Sequence, residues 1–247
     1  MKILYFTATG NCLYVAKSIG GEIYSIPQLL KKGSFDFEDE KIGIVFPVYH
    51  SGVPEIVENF LDKARLKSKY IFGIATYGLF SGSATRHLMK IAKRNGIKFS
   101  YINEIVMVDN YLSGFEMNQQ VNGQSKKHIE EKLRGIVKDI GVGREYLKIS
   151  SVITEPLRSL NLKLYDNEFE KKFSIDNTCN GCKTCERVCP VNNINVNKQP
   201  LYGNNCQHCL ACIQNCPQKA IHLKGEKSNA RYRNSNVTLN EIIEANH

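Results

Sequence analysis

The chain has 247 residues, 42% of them hydrophobic and 23% charged, with a formal net charge of +9. That length holds two modest domains or one large one, and no apolar run is long enough to cross a bilayer. Basic residues interleaved with aromatics are missing, which argues against a nucleic-acid partner despite the charge. The opening residues, Met1 to Phe6, lack the long apolar stretch and small-residue cleavage site of an export signal, so a cytoplasmic location is expected.

Taken in chain order, the apolar run at 2–6 predicts a buried strand. Residues 11–19 predict a helix with Leu13, Val15, Ala16 and Ile19 inward. Strands are expected at 22–26 and 41–46. Residues 54–64 read as a helix with Pro54 in its first turn and Ile56, Val57, Phe60 and Leu61 as its apolar positions. A fourth strand is expected over 70–75, a helix over 83–95 closed by Gly96, and a fifth strand within 97–108. Strands that are apolar almost throughout, alternating with helices, imply an α/β fold with a parallel sheet covered on both faces. Five strands fit a doubly wound, flavodoxin-like sheet of order 2-1-3-4-5.

Residues 125–149 predict the last helix of this first domain, 1–150, with Ile129, Leu133, Ile136, Val137 and Ile140 as its buried stripe. Residues 151–173 read as a linker helix that Thr154 would cap, with Leu157, Leu160, Leu164 and Phe169 as apolar positions. Beyond it the composition shifts to Cys, Asn, Gly and Pro. A small second domain is therefore expected at 174–224, followed by a polar tail, 225–247. The tail contains Arg231-Tyr232-Arg233-Asn234 and a capping-box pattern, Thr238 to Glu241, before a short helix.

Eight of the nine cysteines form two runs. The first is Cys179, Cys182, Cys185 and Cys189 with Pro190; the second is Cys206, Cys209, Cys212 and Cys216 with Pro217. Without an export signal, such a cluster reads as metal-bound thiolates rather than disulfides. Zinc sites use C-x2-C pairs with longer gaps, a poor fit to four cysteines before a proline, twice over. Two-cluster ferredoxins use this spacing, and there the fourth cysteine ligates the other cluster. The expectation is two [4Fe–4S] clusters, one on Cys179, Cys182, Cys185 and Cys216, the other on Cys206, Cys209, Cys212 and Cys189. Cluster formation and a bound phosphate would offset more than half of the net positive charge.

Thr7-Ala8-Thr9-Gly10-Asn11-Cys12 follows the first strand and opens the first helix. A hydroxyl-rich turn there sets backbone N–H groups and the helix dipole on an anion, with Gly10 allowing close approach. The Lys of a triphosphate loop is missing, and so is a G-x-G-x-x-G fingerprint after a strand. Pro47-Val48-Tyr49-His50-Ser51-Gly52 follows the third strand; Thr76-Tyr77-Gly78, with Ser81 and Gly82, follows the fourth. Both loops lie at carboxyl ends of strands, where open α/β sheets bind ligands. Tyr49 and Tyr77 either flank a ring or cover the sheet end. His50 is either a proton relay or an exposed loop residue. Asp109-Asn110-Tyr111 offers a further wall.

The first loop resembles the phosphate loop of flavodoxins, T/S-x-T-G-x-T/S, with Cys12 where that family prefers a hydroxyl. Cys12 is either a small buried helix residue or a redox thiol. Taken whole, the chain resembles the EFR1 family of flavodoxin–ferredoxin fusions, the ferrodoxins of anaerobes. The resemblance rests on the phosphate loop, Phe46-Pro47-Val48-Tyr49, Thr76-Tyr77-Gly78, Asp109-Asn110-Tyr111, both cysteine runs and Arg231-Tyr232-Arg233-Asn234. It implies FMN, two [4Fe–4S] clusters, and conversion between one- and two-electron chemistry. The partner would be a redox protein or a small-molecule electron acceptor. The alternative is a flavin-dependent reductase of a small molecule fed by the clusters. No catalytic residue is assigned, and the oligomeric state stays open, a homodimer included. The second domain is expected to dock near the flavin loops, in the same chain or a symmetric partner, with the Arg231-Tyr232-Arg233 tail either holding that dock or solvated.

Overall fold

A computed structural model describes residues 1–163 and 168–247. Its strands are β1 (Lys2–Tyr5), β2 (Glu22–Ser25), β3 (Asp36–Glu38), β4 (Lys41–Pro47), β5 (Arg65–Lys67), β6 (Tyr70–Tyr77), β7 (Tyr101–Val106), β8 (Tyr146–Leu147), β9 (Phe173–Ile175), β10 (Ile194–Val196), β11 (Pro200–Tyr202) and β12 (Ile221–Leu223). The helices are α1 (Asn11–Ile19), α2 (Ile26–Lys32), α3 (Glu55–Leu61), α4 (Ala84–Arg94), α5 (Met117–Asn122), α6 (Ile129–Gly141), α7 (Glu155–Lys163), α8 (Thr184–Arg187), α9 (Ala211–Gln214) and α10 (Leu239–Asn246).

The main sheet runs β2-β1-β4-β6-β7-β8, and every pair in it is parallel. Its first five strands follow the doubly wound order expected from the sequence. The sixth strand corrects the expectation of five. Tyr146 and Leu147 pair beside Tyr101 and Ile102, in a stretch read as helix. The cause is local: α6 stops at Gly141, Gly143 takes a φ of 67°, and the chain turns back to the sheet edge. A short pair, β3 with β5, lies outside the sheet.

Alternation along β1 sends Ile3 and Tyr5 to one face and Leu4 and Phe6 to the other. The first face packs on α1, α6 and α10 through Leu13, Val15, Ile129, Leu133, Ile136 and Ile242. The second packs on α2, α3 and α4 through Ile26, Leu29, Ile56, Phe60, Leu88 and Ile91. Burial of these side chains, each stabilising by about 1.5–3 kcal/mol, fixes the sheet between two helical layers.

The linker is less helical than expected. A 3-10 turn, Val152–Thr154, precedes α7, and a second, Phe169–Lys172, leads into β9. Ser151 caps the first of these turns, its side chain accepting from the Ile153 amide, and the Thr154 hydroxyl donates to the Ser151 carbonyl at 2.7 Å. Leu164 lies outside the described residues.

The cysteine-rich segment carries two hairpin-like pairs, β10 with β11 and β9 with β12. Its core joins Cys185, Cys189, Cys212 and Ile213 to Val108, Leu112 and Met117 of the loop after β7. The tail is packed rather than solvated. Tyr232, Asn234, Val237, Ile242, Ala245 and Asn246 are all buried. Thr238 and Glu241 form the reciprocal capping pair that starts α10.

Candidate functional site

The loops at the carboxyl ends of β1, β4, β6 and β7 surround one cavity of about 460 Å³. Thr7, Ala8, Thr9, Asn11 and Cys12 line it from the first loop, Pro47, Val48, Tyr49, His50 and Ser51 from the second, and Thr76, Tyr77 and Gly78 from the third. Asp109, Asn110 and Tyr111 add the further wall. Gly10, Gly52, Ser81 and Gly82 do not line it. The sequence reading missed Phe80, Val108, Phe115, Phe169, Lys172, His208 and Leu210, and it did not foresee that Cys209 lies in the wall.

The first loop is held from behind. The Thr7 carbonyl accepts from Asn246 Nδ2 at 3.2 Å, the Ala8 carbonyl from Asn215 Nδ2 at 3.0 Å, and the Thr9 carbonyl from the Asn234 amide at 2.8 Å. These peptides are planar and trans, so each following N–H points opposite to its carbonyl. The Ala8 and Thr9 amides therefore face away from these partners; the Gly10 amide donates to the Thr7 hydroxyl at 3.1 Å. The first intrahelical bond runs from the Tyr14 amide to the Gly10 carbonyl, so the amides of Asn11, Cys12 and Leu13 are not used within α1. The loop thus opens α1 with three amides that no carbonyl of the helix takes, the geometry that suits an anion.

Gly10 has a reason other than ligand approach. Its φ is 95°, and a Cβ there would stand 3.0 Å from Val237 Cβ and 3.1 Å from Asn234 Cβ. The tail, not a ligand, fills that space. Gly78 is similar: a Cβ would collide with the Asp109 carboxylate. That carboxylate accepts from the amides of Leu79 (3.0 Å) and Tyr111 (3.1 Å), fixing two loops to each other.

Asn11 ties the site to its surroundings. Its Nδ2 donates to the Val108 carbonyl at 3.2 Å, while its Oδ1 accepts from Tyr232 Oη at 2.7 Å and Asn234 Nδ2 at 3.1 Å. Asn110 Nδ2 donates to the Thr9 hydroxyl at 2.7 Å, leaving that hydroxyl's own proton for another acceptor. Cys12 is 1% exposed, sits 3.1 Å from the Thr76 hydroxyl, and is pushed up to about 12 by burial. It is a neutral thiol, which fits the small-buried-residue reading.

His50 is not an exposed loop residue. It is half-buried, and burial lowers its pKa. His50 and Ser51 both have positive φ, and the Tyr49 and Gly52 backbones bond each other across them at 3.1 and 2.8 Å. The His50 ring meets His208 edge-on at 5.2 Å, and His208 stacks on Phe169 at 4.2 Å. Tyr49 packs edge-on against Phe6 at 6.0 Å. Among the described residues, its buried hydroxyl has no hydrogen-bond partner; burial, then Cys209 and Cys12, hold its pKa well above the ordinary value.

Electrostatic proximity sorts the cysteines of the two runs. Burial pushes Cys185 up to about 12, and Cys216 and Cys182 add to that. Burial likewise raises Cys206, Cys209 and Cys212, and Cys189 adds to all three. Cys216 thus lies near Cys185, and Cys189 near Cys206, Cys209 and Cys212, while Cys185 also acts on Cys212. Cys182 is exposed; burial works against its thiolate, but the Thr184 hydroxyl and amide, its own amide and Arg187 outweigh this and lower its pKa. Among the described residues, no three Cys, His, Asp or Glu side chains converge as one metal ion would require.

No family model matches the chain. It is 24% identical over 212 residues to uncharacterized protein MJ0726 of Methanocaldococcus jannaschii, covering 78% of this chain and 88% of that protein. Among solved structures it is similar to a flavoprotein in complex with FMN from Lactobacillus acidophilus NCFM (TM-score 0.31, 16% identity, 50% of this chain and 97% of that one). It is also similar to an azoreductase from Bacillus anthracis (TM-score 0.34, 12% identity, 56% of this chain and 97% of that one). No helix among the described residues is long and apolar enough to cross a membrane.

Proposed function

We propose that this chain is an electron-transfer flavoprotein of the ferrodoxin type, holding FMN in the loop-lined cavity and two [4Fe–4S] clusters on its eight clustered cysteines. The observation that carries the reading is that Cys209 lies in the wall of the same cavity that Thr7, Tyr49 and Tyr77 line.

The residues fit a phosphate-bearing flavin. The anion would meet the helix start at Asn11 and the outward amides of Ala8 and Thr9, with the Thr9 hydroxyl as a further donor. The unpartnered Tyr49 hydroxyl supplies a polar contact within an apolar, aromatic wall, the usual make-up of a cofactor site. The cysteines fit cubane clusters as well. A zinc ion draws four sulfurs to about 2.3 Å from one point. A cubane sets an iron–sulfur cage among its thiolates, and the nearness of Cys216 to Cys185 and of Cys189 to Cys206, Cys209 and Cys212 supports the crossed pairing of two-cluster ferredoxins.

Bound FMN would supply the exchange between one- and two-electron chemistry. The chain's own residues set the conditions. Tyr49, Tyr77, Phe115 and Phe169 exclude water from the ring site, the clamped loop orients the phosphate, and burial keeps His50 neutral beside the cavity. The walled cavity also favours a second reading, reduction of a small molecule beside the flavin, with Tyr77 and Tyr111 as contacts.

Anaerobic purification with iron, sulfide and flavin analysis tests the first reading. About eight iron, eight labile sulfide and one FMN per chain are expected. Rapid reduction of the iron–sulfur chromophore followed by flavin bleaching, at a rate independent of protein concentration, supports transfer within one chain. A rate that climbs with concentration throughout refutes it.

A further inference from the structure

The two cysteine groups are not equivalent in what surrounds them. The second touches the cavity through Cys209, with Cys189 and Cys212 buried and Cys206 partly so. The first reaches the surface, because Cys182 is exposed. If electrons pass between the cavity and the outside through both groups, the surface around Cys182 is the place where they cross.

That surface is basic. Lys183 follows Cys182, and both are exposed. Arg187, one turn along at the end of α8, is exposed, and its amide donates to the Lys183 carbonyl at 3.1 Å. A Cβ on Gly181 would stand 3.2 Å from the Lys198 carbonyl oxygen, which brings exposed Lys198 alongside. The nearby carboxylates are engaged. Glu186 accepts from the Val196 amide at 2.8 Å, and Asp176 binds His222 at 2.9 Å and the Thr178 amide at 2.9 Å.

We propose that the surface bounded by Lys183, Arg187 and Lys198 around Cys182 is the docking site of a small acidic one-electron carrier protein. The inference rests on the proposed function and adds the partner class and the point of entry. Charge complementarity favours this occupant: cations ringing an exposed redox edge steer an acidic partner and set its orientation, while a small contact area lets it leave after one transfer. Each encounter moves one electron. The carrier is oxidised by one, the first group's cluster is reduced by one, and no bond is made or broken. The electron then passes to the second group and to the cavity beside Cys209.

The test uses the full chain, reconstituted anaerobically, with a purified acidic two-cluster bacterial ferredoxin as probe, binding measured by calorimetry at low and moderate salt. Lys183→Glu, Arg187→Glu and Lys198→Glu together are expected to weaken binding by about tenfold or more and to flatten its salt dependence, with iron, sulfide and flavin contents unchanged. Reversing Lys63, Lys93 and Lys98, which lie outside the cysteine-rich segment, is expected to leave affinity within about twofold. If the triple reversal disturbs cluster content, the neutral pair Lys183→Gln and Lys198→Gln takes its place, with a smaller loss of the same sign. A fully loaded chain whose affinity ignores these residues, or falls equally in the control, overturns the proposal alone. A reconstituted chain without iron or sulfide overturns the reading beneath it as well.

Discussion

Asn246→Ala isolates the clamp on the first loop. Asn246 is fully buried, does not line the cavity, and donates Nδ2 to the Thr7 carbonyl at 3.2 Å and to the Ile242 carbonyl at 3.0 Å. Alanine leaves the Thr7–Ala8 peptide without its rear partner, so the Ala8 amide loses its fixed direction. A net hydrogen bond contributes about 0.5–1.5 kcal/mol, which in affinity is roughly a two- to tenfold change. Because the clamp acts through the loop that would hold the phosphate, the loss should fall on FMN and spare riboflavin. The assay is anaerobic fluorescence titration of the two flavins against wild type and variant, with melting temperature as a control on folding. Equal loss for both flavins, or no loss for either, would refute the claim that Asn246 orients an anion site.

Three further outcomes follow from the same geometry. Cys216→Ser should deplete the iron assigned to Cys179, Cys182 and Cys185 rather than that of its own run, read by electron paramagnetic resonance of the two clusters; selective loss of the other cluster would sink the crossed pairing. Gly10→Ala forces a side chain into positive φ and against Val237 and Asn234, a cost of about 2–4 kcal/mol that should lower Tm by roughly 5–15 °C. Glu241 is held down to about 2 by Lys17 at 2.6 Å, with the Thr238 cap next. Its folded pKa lies below the unfolded one, so its contribution is complete above the ordinary carboxylate value and disappears as pH falls through about 2. Amide exchange across 238–246 should rise over that window in wild type and already be raised at neutral pH in Glu241→Gln.

Much of the sheet was legible because burial imposes periodicity. The helix at Asn11–Ile19 was read to the residue, since its apolar positions recur on one face and glycines bracket it. The strand after it was read one residue long, because Ile26 continues the apolar run; Pro27 in the first turn of α2 was the unused signal. Two exposed residues, Tyr146 and Leu147, carry no periodicity, so only pairing with Tyr101 and Ile102 reveals the sixth strand. The burial of the tail was left open for a different reason. It is polar in composition, yet Asn234 and Asn246 are buried because backbone carbonyls and Asn11 satisfy their amides, and a hydropathy pattern does not register burial by hydrogen bonding. Phe169 and His208 entered the cavity wall from distant segments, with no local motif to announce them.

The polar burial explains why the loop, the cysteine segment and the tail form one unit. Each of three successive carbonyls, Thr7, Ala8 and Thr9, is taken by a different asparagine: Asn246 ends α10, Asn215 precedes Cys216, and Asn234 lies in the tail. A flavodoxin-like loop alone would leave those carbonyls to water. Here they are satisfied only when the cysteine segment and tail are in place, since an unpaired buried carbonyl costs about 1–3 kcal/mol. The Ala8 bond matters most for coupling, because Asn215 is covalently next to a proposed cluster ligand. Whatever fixes Cys216 also fixes Asn215, and through it the direction of the Thr9 amide at the cavity. By linkage, a group bound at either end favours the other by the same factor. A flavin and a cluster bound at the two proposed sites would therefore be coupled through the backbone of the first loop.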